Sequence, residues 1–433
     1  MRVSLLLGVW LSCAASSFAQ VASDQPGTAT PLPPPAPRKP LGQVEFGPLV
    51  MTPTVAFMNI GVDNNVYNSA QERQVAFTAT VSPQIRLLYK SGRLMIDSNT
   101  AADYIYYGVD TTLGGFTPRT VLNVEYRVGR RITLLFNDYV ASHKDRPSIE
   151  IDARVRHTTT AVGTGVRVGL APKMDLELGV RQADISYADG TVYDGVKLEQ
   201  TLNQRTRSAY GSLSYRVTPY TAVRTLVSID DQTYPLSPDR DGQSNLYAGG
   251  LSFSPRALIA GDAMLGVRQF WSHSPTQPDF TGLAADGRLT LTLGDSTGFL
   301  VSGHRDLNPS YELTNPYVLQ SSYQVAVQQH VTRRFDVGLS YTTIKMDYAT
   351  FTNAPAFANA GNNVQRGFGA SVGVMSTHLA RYAVYYEHWE RSWATDPGRR
   401  FNDDRWGFMI TPTRWLTTTN SASRTTLVNS TGL

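Results

Sequence analysis

The stretch Thr158–Tyr187, TTTAVGTGVRVGLAPKMDLELGVRQADISY, holds two segments of alternating character that meet at Ala171-Pro172-Lys173. A connection this short leaves room only for an antiparallel hairpin. On the second arm Met174, Leu176, Leu178 and Val180 fall on one face, and Asp175, Glu177, Gly179 and Arg181 on the other. Side chains of a strand alternate with a period of two, so one face is apolar and one is charged. In a soluble sandwich the apolar face would meet a second sheet. In an outer-membrane barrel it would meet lipid, with the charged face toward a wet lumen.

The rest of the chain decides between these. Short turns recur at Ser91-Gly92-Arg93, Val128-Gly129-Arg130, Ala171-Pro172-Lys173, Thr218-Pro219-Tyr220, Ser254-Pro255-Arg256, Leu293-Gly294-Asp295, Val331-Thr332-Arg333 and Ser376-Thr377-His378. Their spacing of about forty residues is a repeat of strand, short turn, strand and longer loop. The alternation recurs too: Phe335, Val337, Leu339 and Tyr341 oppose Asp336, Gly338, Ser340 and Thr342, and Val223, Val227 and Ile229 oppose Arg224, Ser228 and Asp230. No helical periodicity of useful length interrupts it, and a second covering layer would require strands apolar on both faces or core helices. Segments such as Gln74 to Lys90 and Leu379 to Trp393 exceed the five or six residues usual in soluble strands. The expectation is an all-β, transmembrane, antiparallel up-and-down β-barrel of about 18 strands (16 to 20) over residues 47–413. An even count puts both ends, and the short turns, on the periplasmic side.

The longer loops, such as Gly190 to Gln204, Asp306 to Gln320 and Ala349 to Asn363, are then extracellular, and none is long enough for a folded plug. Aromatics in Tyr104-Ile105-Tyr106-Tyr107 and in Tyr382 to Trp393 are expected in an interfacial girdle.

The first residues read as a secretory signal over residues 1–19, with Arg2, the apolar run Leu5 to Leu11 and a small-x-small site at Ser17-Phe18-Ala19. The single cysteine, Cys13, lies inside it. A lipoprotein reading of Cys13 is disfavoured by Trp10 where a small aliphatic residue is expected. Residues 20–46 are proline-rich and read as an extended periplasmic linker that cannot pack a core. At the other end, strand character from Arg405 to Thr411 gives way at Pro412, so that residues 414–433 read as an atypical strand or a disordered tail. The usual aromatic-terminated last strand is missing, and an altered reading frame near Thr411 would account for that. The net charge of +4 is scattered along the chain rather than gathered in a stripe, which excludes a nucleic-acid partner.

Three stretches carry a family resemblance: GVDNNVY (Gly61 to Tyr67), QTLNQRTRSAYGSLSYRVTPYT (Gln200 to Thr221) and SFSPRALIAGDAMLGVRQF (Ser252 to Phe270). With them the chain, over roughly Glu45 to Thr411, resembles the Putative beta-barrel porin 2 family and related outer-membrane β-barrel proteins of Gram-negative bacteria. Some members are associated with exopolysaccharide production and export, so the resemblance implies an envelope transport setting. It supplies no site residues. It also implies export by the general secretory route into the Gram-negative outer membrane. The partners it implies are membrane lipid, periplasmic chaperones and barrel-assembly machinery, and polysaccharide-export components.

No catalytic, cofactor or metal constellation emerges from the spacing. The seven histidines stand apart, none in an HExxH pair. His143 and His304 have Asp and Ser neighbours but are better read as loop histidines than as catalysts. Asp63-Asn64-Asn65 lacks the spacing of a calcium loop and reads as a turn. The functional candidates are charges that alternate with apolar residues: Arg86, Arg127, Arg167, Arg181, Arg216, Arg224, Arg268 and Arg288, with Asp97, Glu125, Asp175, Glu177, Asp286 and Asp336. An Arg or Lys facing lipid at mid-membrane costs about 2 to 4 kcal/mol, so these charges require a watery interior. Most are expected to pair across strands, leaving an Arg excess that favours anionic solutes. The sequence thus reads as a non-enzymatic porin-like path for small solutes, sugars or exopolysaccharide. The alternative is a structural or adhesive barrel with a blocked lumen and partner-binding loops; a barrel hydrolase comes third.

Overall fold

The computed structural model describes residues 43–255, 257–294, 296–349, 363–376, 380–393 and 396–412. Among them eighteen strands of 12 to 17 residues follow one another antiparallel, from Leu49–Asp63 and Ala76–Ser91 through to Ala380–Trp393 and Phe401–Pro412. Each pairs with its sequence neighbours, and Leu49–Asp63 pairs with both Ala76–Ser91 and Phe401–Pro412, which closes the sheet into a ring. Closure matters physically because a free strand edge in hydrocarbon would leave backbone groups unpaired at several kcal/mol each. No helix among the described residues is long and apolar enough to cross a membrane.

The tight turns expected from the sequence fall between consecutive strands, insofar as they lie in described residues; Arg256, Asp295, Thr377 and His378 do not. At the first turn Gly92 has φ +53°, a left-handed conformation that an L side chain adopts at a cost. Closure is achieved by Phe401–Pro412, so it needs no strand from residues 414–433, which lie outside the described residues together with the signal and most of the linker. The last linker residues, Val44–Phe46, form a short strand that pairs back on Leu49–Met51.

The sheet is inside out relative to a soluble protein. Val223, Val227 and Ile229 are 41%, 43% and 56% exposed, while Arg224, Ser228 and Asp230 between and beside them are buried. The same inversion runs through Phe335–Ala349, where Phe335, Val337, Leu339 and Tyr341 face outward and Asp336, Ser340 and Thr342 face inward. An apolar outer surface on so many strands is stable only against lipid. Strands of this length exceed the nine to eleven residues that span the hydrocarbon when tilted, and carry the chain beyond both surfaces.

Two expectations are corrected. The loop read as Asp306 to Gln320 shrinks to 310–316, because the flanking strands extend to Pro309 and begin at Tyr317. Gly190 to Gln204 lies between barrel strands as expected, and contains a two-residue hairpin, Val192–Tyr193 against Val196–Lys197, and the helix Leu198–Leu202. The Tyr382 to Trp393 aromatics do not all serve a girdle, since Tyr382 and Tyr386 face outward but Tyr385, Trp389 and Trp393 turn inward and are buried. Most of the loop read as Ala349 to Asn363 lies outside the described residues.

Candidate functional site: a loop across the lumen

Strands Ile132–Asp145 and Val155–Ala171 are joined by residues 146–154, RPSIEIDAR. This segment is buried as few loops are: Arg146, Ile149, Glu150 and Ile151 are all at most 5% exposed. Ile149 packs on Val318, Ile344 and Met346, which belong to Tyr317–His330 and Phe335–Ala349, nine places away in a ring of eighteen. The loop therefore leaves one wall and lands on the opposite one. Ile151 joins Val155, Ile185, Tyr187, Leu198, Leu202 and Tyr311, which packs the loop against the 188–203 and 310–316 segments. No single loop among the described residues is a folded plug; several short loops meet over the lumen instead.

A loop this buried must satisfy its backbone within the protein. Arg146 donates to the Val66 and Asp152 carbonyls at 2.8 Å each, and Arg154 to the Val66 carbonyl at 2.7 Å. From the far strand Arg391 donates to the Ile149 carbonyl at 2.8 Å and grips the Asp152 carboxylate with two bonds of 2.9 and 2.6 Å. Such charge-assisted forks are the strong class of hydrogen bond. On the other side Ser310 Oγ donates to Glu150 Oε1 at 2.8 Å, and buried Arg240 donates to the carbonyls of Ser310, Glu312 and Pro316. Arg399 bridges Tyr311, Asp194 and Glu312. Burial pushes the Glu150 carboxyl up to about 7, and the nearby Glu312 carboxylate adds to the effect. Glu312 is raised in turn, again chiefly by burial.

Below this cap the inner wall carries the charges singled out by alternation. Arg86 forms a fork with Asp97 (3.0 and 2.7 Å), Arg167 lies between Glu177 (3.0 Å) and Glu125 (3.6 Å), and Arg216 is 3.6 Å from Asp175. Arg268 reaches both Asp230 and Asp306, and Asp286 is 3.5 Å from His304. Asp336 binds Arg381 two strands away, across Gly373, where an added Cβ would stand 2.6 Å from the guanidinium. Arg127 sits exposed at a turn, and Arg181 is buried on the inner face. Arg224 and Arg288 form no ion pair among the described residues. Arg224 is 3% exposed, and its Nε and Nη1 have no hydrogen-bond partner; Nη2 reaches Ser212 Oγ only at 3.4 Å.

Two minor readings come out differently from each other. Asp63-Asn64-Asn65 is a turn: Asp63 Oδ1 accepts from Asn65 N at 2.9 Å, and the Asn64 and Asn65 side chains tie the turn to Asp404 and to the Ser69 and Asn402 carbonyls. His143 and His304, by contrast, are strand residues and not loop histidines, because both strands run further than the local sequence suggests. The crossing loop itself was missed. Its one local signal is the alternation of Ile149 and Ile151 with Glu150 and Asp152.

A closed ring of eighteen amphipathic strands, apolar outside, charged inside and bridged by an inward loop, defines a porin-like outer-membrane β-barrel. Residues 36–378 match the family described as Putative beta-barrel porin 2, and the chain belongs to that family. No curated protein matches the sequence. Among solved structures, a BenF-like porin from Pseudomonas fluorescens Pf-5 is similar at 11% identity, over 84% of this chain and 97% of that one, with a TM-score of 0.47. OccK2 (OpdF) of Pseudomonas aeruginosa, solved in complex with glucuronate, is similar at 12% identity over 86% and 99%, with a TM-score of 0.45.

Proposed function

We propose that the barrel conducts small hydrated solutes across the outer membrane, sugars or segments of exopolysaccharide among them, and that it favours anions. The observation that carries the reading is the charged inner wall: the carboxylates Asp97, Glu125, Asp175, Glu177, Asp230, Asp306 and Asp336 all have an arginine partner, Arg167 and Arg268 serving two each, whereas Arg224 and Arg288 form no ion pair among the described residues, with Asp262 acting on Arg224 only at longer range. Paired charges stiffen the wall, and unpaired ones set the field a permeating ion meets. The loop 146–154 narrows the path and decides when it is open. Planar-bilayer recordings of the purified barrel under a salt gradient test this: a stable current with an anion-selective reversal potential is expected, and cation selectivity would sink the preference for anions.

The second reading, a structural or adhesive barrel, has one observation in its favour, the knitting of several loops over the mouth. A barrel that stays silent in the bilayer at every voltage and pH would favour it over the conducting one.

A further inference from the structure

His143 and His157 stand opposite each other in register on the adjacent strands Ile132–Asp145 and Val155–Ala171. Their rings stack with centroids 5.0 Å apart and planes at 19°. Asp145 lies two residues beyond His143 and so on the same, inner face. Its Oδ2 is 3.6 Å from His143 Nδ1, and its Oδ1 is 3.8 Å from His157 Nδ1. These separations are too long for hydrogen bonds. One donor atom from each residue nevertheless falls within 4.8 Å of the others. His157 Nδ1 is buried and makes no hydrogen bond. Three donors thus converge on a point that none of them fills. An ion pair alone would need only one imidazole.

We propose that His143, Asp145 and His157 form a binding site for a divalent transition-metal ion of the Zn2+ class. Two imidazole nitrogens and one carboxylate oxygen suit borderline metals, whereas Ca2+ and Mg2+ prefer all-oxygen sets. Tetrahedral coordination at about 2.0 to 2.2 Å needs donors about 3.3 Å apart, which side-chain rotation supplies from the observed spacing. Tyr187 stacks on His157 at 5.4 Å and limits its movement on one side, leaving the fourth position to water. The place is as informative as the ligands. Asp145 is the last residue before the crossing loop and His157 the third after it, so the ion pins both ends of that loop at its root.

The test uses the untagged full-length barrel folded in detergent, with Zn2+ titrated against a chromophoric chelator near neutral pH. One ion per barrel is expected. The His143→Ala/His157→Ala double variant should weaken binding by roughly a hundredfold or more, and Asp145→Asn by about tenfold. Folding of each variant is checked by the altered gel mobility of the unheated barrel. Should the alanine pair fail to assemble, His157→Gln, which keeps size and polarity, takes its place with the same expected loss. Co2+ bound to the wild type should show the ligand-field absorption of a four-coordinate ion, absent from the variants. Binding that is undetectable at about 100 µM Zn2+, or equal in wild type and variants, overturns the proposal.

Discussion

Glu150 offers a direct test of whether the crossing loop gates the barrel. It sits on the loop, outside the spanning strands, where burial raises its carboxyl from 4.5 to about 7. At about 1.4 kcal/mol per pH unit, ionising it inside the closed cap costs about 3 kcal/mol more than in water. The neighbouring cation, Arg399, is shared with Asp194, Glu312 and Asp396, so it does not cancel that cost. The sign follows from linkage. A carboxyl raised in the closed state leaves closure at full strength below about pH 4.5, and that strength is lost as pH rises through about 7. About 3 kcal/mol changes a closed-to-open ratio by roughly a hundredfold. Single-channel conductance or open probability in planar bilayers should therefore increase as pH is raised across this window. Glu150→Gln keeps an Oε1 acceptor for Ser310 but cannot ionise, so its response should be flat and resemble the low-pH wild type. The reasoning is refuted by a wild-type barrel whose current is the same at both ends of the window. It is refuted equally by a Glu150→Gln barrel that keeps the wild-type rise.

Three further outcomes are expected. Asp336→Ala strands the buried Arg381 guanidinium, whose side chain is 1% exposed, and should cost about 3 to 5 kcal/mol in urea unfolding from lipid vesicles; a loss under about 1 kcal/mol would mean the pair is solvated. Val180→Arg puts a charge on the lipid face, where Val180 is 55% exposed, and should cost about 2 to 4 kcal/mol in the same measurement, although Arg181 beside it is native. Arg224→Gln with Arg288→Gln should move the reversal potential toward non-selectivity without changing strand content by circular dichroism; an unchanged potential would remove these two residues from the permeation path.

Much of the fold was legible because the information is local. A strand places successive side chains on opposite faces, so Val227 and Ser228, or Leu339 and Ser340, declare lipid and lumen wherever they stand in the chain. The turns at Gly92 and Pro172 announce hairpins for equally local reasons, and a closed ring of hairpins has no other topology to choose among. The same alternation located wall charges such as Arg167, Glu177 and Arg268.

What it could not reveal is which of those charges meet, and what fills the space they enclose. Asp336 finds Arg381 because Gly373 on the intervening strand leaves room for the guanidinium, an arrangement set by register between strands. His143 and His157 look unrelated along the chain until pairing brings them face to face. The core role of residues 146–154 is invisible along the chain, because Ile149 is recognisable as a core residue only once Val318, Ile344 and Met346 stand across the lumen to receive it. Alternation alone specifies a wall with an oily outside and a wet inside, since that follows from the two-residue period of the backbone. That a loop crosses the passage emerges from folding, since it depends on contacts between segments far apart in the chain.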